Sequence, residues 1–183
     1  ESGIKVYTKP VSTSNFKAFK STMSIDESVQ AFLSVLYDID GITTWGYKLK
    51  DASLLKRSGD SLQIYYAEVK VPFPYGNRDG VYLNTFKWDT KTKTLHVGIK
   101  LLDNYMATKE GLVRITGKGY WKAQVLSSGK LEITFEMQVD PGGGIPAWMA
   151  NIFADDSPYY TMLELKKKIK NKKHQNKTFN FIN

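Results

Sequence analysis

Two histidines, eighteen carboxylates and no cysteine are the material for chemistry in this 183-residue chain. Nucleophilic catalysis needs a base beside the nucleophile. His174 lies in a lysine-rich tail, and His96 sits mid-strand, on the face opposite Leu95 and Val97 if the strand alternates. One plausible histidine without a thiol makes no metal cluster of common ligand spacing, so no metal and no cofactor is expected. The absence of cysteine also removes thiol catalysis and disulfides, and leaves the compartment open. No acidic pair stands out as a general acid and base. The run Asp140-Pro-Gly-Gly-Gly144 leads into a helix like an anion-binding helix start. It lacks the Gly-Lys-Ser/Thr ending of a phosphate-binding loop and reads as a tight strand-to-helix turn.

The formal charge of +8 is unevenly spread. Seven lysines lie between Lys166 and Lys177 with no acid among them, so the body is nearly neutral and residues 166–183 form a basic tail. The tail reads as a solvated end, with attraction to an anionic membrane surface as the functional alternative. Only Arg57, Arg78 and Arg114 supply guanidinium forks, which argues against a nucleic-acid partner. No apolar run approaches the roughly 20 residues of a membrane-spanning helix. The chain opens at Glu1, which fits removal of a signal peptide or a trimmed start. A periplasmic or exported setting is favoured over the cytoplasm.

The elements that position these residues are mostly strands. Gly3–Tyr7 and Asn15–Ser21 read as strands about a turn at Pro10–Ser14. Ser24 and Glu27 have the spacing of a capping box, and Val29, Phe32, Leu33 and Leu36 follow as one helical stripe ending at Asp38–Gly41. Three hairpins come next: Tyr47–Lys56 with Ser61–Val71, Asp79–Trp88 with Thr94–Leu101, and Leu112–Leu126 with Lys130–Val139. Pro146 and Pro158 both suit the first turn of a helix, so Pro158 marks a second helix start or a kink. Tyr159, Met162, Leu163, Leu165 and Ile169 then share one side. The order predicts one α+β domain over residues 1–183, an antiparallel meander whose apolar face is covered by the last helix.

Two motifs connect these elements. Pro72-Phe-Pro-Tyr-Gly-Asn-Arg-Asp-Gly80 joins two central strands, and Asp140-Pro-Gly-Gly-Gly-Ile-Pro-Ala-Trp-Met-Ala-Asn151 joins the last strand to the last helix. With the opening Gly3–Pro10, Trp45 after the first helix and Ser157-Pro-Tyr159, they make residues 3–172 resemble the steroidogenic-acute-regulatory-related lipid transfer (START) domain, with stand-alone bacterial members as the nearest likeness. The resemblance implies a helix-grip fold: a curved antiparallel sheet wrapped around a long C-terminal helix, with an interior cavity for a sterol, a phospholipid or another apolar molecule. It brings no catalytic residues and implies a monomeric, non-enzymatic binder making transient membrane contact. The wider superfamily includes enzymes on aromatic, polyketide-like substrates, for which Asp79, Glu68, His96 and Tyr65 are the candidate acids and bases. Arg78 and Asp79 match the family's Arg-Asp, read either as a structural pair fixing the turn or as placing Arg78 against a lipid phosphate. The charged pair of sterol-type relatives maps onto Tyr65 and Asn84, neither of which is charged.

If Tyr65 and Asn84 face inward, alternation places Gln63, Ala67, Val69, Tyr82, Phe86 and Trp88 inward as well. Ile133, Phe135, Met137 and Val139 form the apolar face of the last strand. The expected ligand-binding set is therefore Tyr65, Ala67, Arg78, Tyr82, Asn84, Phe86, Trp88, Phe135 and Met137, with Trp148, Ile152 and Met162 from the covering helix. Rings with a few neutral polar groups suit an amphiphile with one hydrogen-bonding end. Ile145, Trp148, Met149, Ile152 and Phe153 either touch a membrane during loading or pack on the sheet.

Overall fold

The computed structural model describes residues 2–183, except for the side chains at positions 147 and 150–153. Strands β1 (Lys5–Val11) and β2 (Ser14–Ile25) form the first hairpin. Helix α1 (Val29–Tyr37) and a 3-10 segment (Ile39–Thr44) follow. Then come β3 (Leu49–Ser58), β4 (Leu62–Val69), β5 (Arg78–Asp89), β6 (Thr94–Leu101), the two-residue β7 (Val113–Arg114), β8 (Thr116–Val125) and β9 (Leu131–Asp140). Helices α2 (Ala147–Ile169) and α3 (Lys172–Gln175) close the chain. The sheet runs β1-β2-β9-β8-β6-β5-β4-β3, all antiparallel, with β7 lying parallel to β5. The N-terminal hairpin thus joins the last strand, and the expected curved sheet with a C-terminal helix against it is the observed α+β architecture.

The local departures have physical reasons. Ser24 and Ile25 stay in β2, paired with Glu132 and Leu131, so no cap forms at Ser24. Ser28 is the cap instead, its hydroxyl accepting from the Ala31 N–H at 3.1 Å. Pairing to β9 outweighs the local capping box there. The predicted strand Leu112–Leu126 divides at Ile115, because Val113 and Arg114 pair with β5 before β8 turns to β6 and β9. Helix α2 begins after Pro146 and passes through Pro158 without a second start. Proline at that position leaves the Ala154 carbonyl without its helical donor.

The core occupies one part of the hollow. Phe32, Leu33 and Val35 of α1, Met162, Leu165 and Ile169 of α2, and Leu95, Ala123 and Ile133 of the sheet are fully buried together. Phe32 meets Trp121 edge-on at 5.8 Å, and Trp121 stacks on Phe135 at 3.9 Å. Gln63 points inward and donates to the Leu36 carbonyl at 2.9 Å, satisfying the C-terminal end of α1. The lysine-rich tail is not a free end. His174 is buried, with Nδ1 2.9 Å from the Ser34 hydroxyl, and Phe179, Phe181 and Ile182 pack against the core. Lys170, Lys172, Lys173 and Lys177 face solvent, while His174 and the apolar residues after Lys177 hold the segment down.

Candidate functional site

Alternation along β4, β5 and β9 sends every second side chain to the face that α2 covers. Toward the start of α2 this face borders a pocket of about 220 Å³. Its sheet wall is Tyr65, Ala67 and Val69 of β4, Tyr82 of β5, Ile99 of β6, Trp121 of β8, and Phe135, Met137 and Val139 of β9. Phe19, Ile42, Trp45 and Leu49 close one flank, and Ile145, Ala154, Ser157 and Thr161 come from the covering segment. Tyr65 and Tyr82, directly paired across β4 and β5, stack with ring centroids 4.9 Å apart. Burial pushes both phenols well above their ordinary pKa, with the nearby Asp79 charge adding to the effect at Tyr82. Both hydroxyls therefore stay protonated at neutral pH.

The polar groups are few. Thr161 accepts from the Tyr47 N–H at 3.2 Å. The Trp45 indole N–H is buried and has no hydrogen-bond partner among the described residues. Two cations line the pocket, Lys17 and Arg78, and no described carboxylate does. Arg78 is only 4% exposed. Its guanidinium donates to the carbonyls of Pro141 and Gly142, each at 3.0 Å, and to that of Gly76. Burial holds its pKa below the usual guanidinium value. These contacts tie the Pro72–Gly80 connection to the Gly-rich turn, where Gly142 and Gly143 adopt φ of 62° and 61°, a backbone suited to glycine.

The structure overturns the structural pairing of Arg78 with Asp79. Neighbours on a strand point to opposite faces, and Asp79 is engaged by Arg114, Nε to Oδ1 at 2.7 Å and Nη2 to Oδ2 at 3.0 Å. Glu68 and His96 are also turned away from the pocket. Glu68 accepts from Lys50 at 2.9 Å and Asn77 at 2.8 Å, which keeps its carboxyl below the ordinary range. His96 is exposed, across the sheet from Lys87 and Lys122. Of the four, only Tyr65 lines the pocket. Among the described residues, no group of three or more His, Asp or Glu side chains could hold a metal. No described helix is long and apolar enough to cross a membrane.

Of the twelve residues expected to meet a ligand, Tyr65, Ala67, Arg78, Tyr82, Phe135 and Met137 line the pocket. Asn84, Phe86 and Trp88 share the inner face but lie further along β5. Phe86 packs on Tyr37 at 4.8 Å, and Trp88 donates to the Asn183 carbonyl at 3.2 Å. Met162 is fully buried in the core, and Trp148 is 63% exposed. The Ile152 side chain lies outside the described residues. Sequence reasoning missed Lys17 and Trp45. Lys17 is in phase with Phe19, Ser21 and Met23 of β2, a signal present in the alternation; the placement of Trp45 depends on the 3-10 segment and carries no such signal.

The chain matches no family model. An uncharacterized protein of Pseudomonas aeruginosa is 31% identical over 168 residues, which span 91% of this chain and 82% of that protein. The phosphatidylcholine transfer protein of Rattus norvegicus is 28% identical over 158 residues, 82% of this chain and 72% of its own length. Among solved structures, a fragment of the STAR-related lipid transfer protein from Xanthomonas axonopodis superposes with a TM-score of 0.84 at 29% identity, covering 92% of this chain and 94% of that one. Sequence likeness along most of the chain and the shared architecture agree: the protein belongs to the START domain family.

Proposed function

We propose that this protein binds one lipid-like amphiphile in the pocket between the sheet and α2, and carries or senses it without chemical change. The observation that supports this reading most is the lining itself: among the described residues, aliphatic and aromatic side chains over most of its surface, two cations, and no carboxylate or imidazole to act as a general base. Such a surface favours an apolar body with a polar end. The names of two relatives, a phosphatidylcholine transfer protein and a STAR-related lipid transfer protein, support the same class of cargo. Loading requires the covering segment to move, and the Gly142–Gly143 turn before α2 is suited to that motion. Trp148, exposed at the start of α2, suits brief contact with a bilayer as the segment opens. In this reading the protein works as a monomer.

The test uses the full chain stripped of bound lipid. Native mass spectrometry after incubation with a lipid extract should show a one-to-one complex. A ligand at a hundred times its Kd should stabilise the fold by about 2.7 kcal/mol. That is a rise in Tm of roughly 5–10 °C for a chain of this length. If no member of a broad panel of lipids and sterols is retained or raises the Tm, the reading fails.

A further inference from the structure

We infer that the outer face of the sheet, the side away from α2, is a docking surface for an acidic polypeptide segment. The near-neutral charge of the body conceals a separation of sign. Antiparallel pairing lines residues up in rows across the strands, and every second row faces outward. One outward row runs through Lys87, His96, Lys122, Thr134, Thr22 and Lys5. The next holds Thr85, Gly98, Tyr120, Glu136, Lys20 and Tyr7. The third holds Leu83, Lys100, Lys118 and Gln138, and Ala18 and Lys9 continue it on β2 and β1. These rows carry seven lysines and one carboxylate, Glu136, which accepts from the Tyr120 hydroxyl at 2.9 Å and lies 3.9 Å from the Lys9 ammonium. Carboxylates return in the row beyond, at Asp89 and Glu132. Among the described residues, the six lysines other than Lys9 form no ion pair.

Edge protection does not explain the pattern. Lysine on an edge strand discourages aggregation, which suffices for Lys5 and Lys9 on β1. Lys100 and Lys118, however, stand directly opposite each other on two interior strands, and Lys87 and Lys122 flank His96 in the same way. Like charges in directly opposed positions destabilise a sheet, so stability by itself favours a carboxylate at one of each pair. A groove crosses the strands between the second and third rows, with Lys9, Lys100 and Lys118 on its rim and Leu83, Gly98 and Ala18 along its floor. Gly98 leaves a gap in its row, where a β-carbon would come within 2.8 Å of the Thr85 hydroxyl oxygen. Six strands at about 4.8 Å span about 24 Å, the length of about seven extended residues. A lysine rim over an apolar floor matches a segment in which carboxylates alternate with apolar side chains. A nucleic acid fits less well: the face offers ammonium point charges without an arginine fork, and Tyr7 is its one exposed ring among the described residues. A bilayer also fits less well, because on the proposed binding reading lipid enters beneath the start of α2, on the opposite side of the sheet. A partner held on the outer face leaves that segment free to open.

The experiment uses the full chain and a fluorescein-labelled peptide of about nine residues in which glutamate and valine alternate. Fluorescence anisotropy at about 50 mM salt should show binding about tenfold or more tighter than to the same peptide with glutamine for glutamate, and the difference should fade as salt rises to about 300 mM. Lys100→Glu should weaken that binding about fivefold or more, yet raise the Tm, since it replaces a like-charge pair by an opposite one. Lys170→Glu, the same change of net charge on the exposed tail, should leave the affinity within about twofold. Vesicles containing about 30% phosphatidylglycerol and single-stranded DNA of about twenty nucleotides serve as competitors. No binding of the glutamate peptide, equal effects of Lys100→Glu and Lys170→Glu, or displacement of the peptide by vesicles or DNA at a lower concentration of charge would overturn the inference. Lipid retention, read on the same samples, reports on the pocket separately: it should be unchanged in Lys100→Glu whether or not the peptide binds.

Discussion

Replacing Asp79 by asparagine tests how the start of β5 is held against the β6–β7 connection. The Asp79 side chain is fully buried and that of Arg114 is 7% exposed, with two short hydrogen bonds between them. Arg114 also donates to the carbonyls of Asp103 at 3.0 Å and Met106 at 3.1 Å, binding the β6–β7 connection to the start of β5. Asparagine keeps the shape but removes the charge and turns an amide N–H₂ toward a guanidinium. Breaking one side of a buried pair costs about 3–5 kcal/mol. For a chain of this size that is a fall in Tm of roughly 6–20 °C. Urea denaturation followed by circular dichroism measures it, and a double-mutant cycle with Arg114→Gln should return a coupling energy of about 2 kcal/mol or more. A parallel cycle with Arg78→Gln should return much less, since Arg78 points to the other face and shares no partner with Asp79. A cost below about 1 kcal/mol, or a larger coupling to Arg78 than to Arg114, would refute the assignment.

Stability should also depend on pH through His174. Burial, reinforced by Lys173, Lys168 and Lys177, lowers its pKa below the ordinary 6.5, against the opposing pull of Asp38, whose Oδ2 is 3.8 Å from Nε2. The unfolded chain therefore takes up the proton first, and stability present above pH 6.5 should decline as pH falls toward the folded-state value; a thermal melt series should show the slope, and His174→Gln should flatten it. Deleting residues 176–183 should cost about 3–5 kcal/mol in urea melts, because it removes Phe179 from Tyr37 (4.9 Å between rings) and the two bonds from this segment to Gln30; a merely solvated tail would cost almost nothing. Gly119→Ala should destabilise by about 2 kcal/mol or more, since a β-carbon there would come within 2.1 Å of the Glu136 carbonyl oxygen and 2.9 Å of the Met137 Cα, backbone atoms that yield only if β8 and β9 separate.

Much of the fold was legible because period-two patterning and turn residues are local signals. Thr94–Leu101 was bounded correctly by the polar turn before it, and the inward phase of β9 followed from alternation, whereas that of β4 and β5 took its direction from the resemblance that maps Tyr65 and Asn84 inward. What local signals leave out is pairing. Ser24 and Glu27 have the spacing of a cap, but β9 offers β2 a longer ladder, which sets the helix start at Ser28. The partner of Asp79 was hidden for the same reason: Arg114 is 35 residues away and arrives only because β7 pairs with β5. The lysine tail misled through composition, because its anchoring residues, His174 and Phe179, are sparse among the charges.

The candidate site was legible in its face and not in its extent, and the difference explains how the fold combines a solid core with a pocket. Alternation groups Tyr82, Asn84, Phe86 and Trp88 on one side of β5, so they were indistinguishable from one another in sequence. The structure divides them. Phe86 meets Tyr37, which follows the α1 stripe, and Trp88 reaches the C-terminal residue, so that end of the hollow is filled by the chain itself. Tyr82 lies at the end where only the first half of α2 stands over the sheet. Helix α2 is correspondingly divided: Met162, Leu165 and Ile169 are fully buried against packed side chains, while Ala154, Ser157 and Thr161 border open volume. The half of α2 nearest the Gly142–Gly143 turn borders the pocket, while the other half is anchored in the core. A guest that fills the space would therefore stabilise the segment over which it enters, coupling occupancy to closure through one helix.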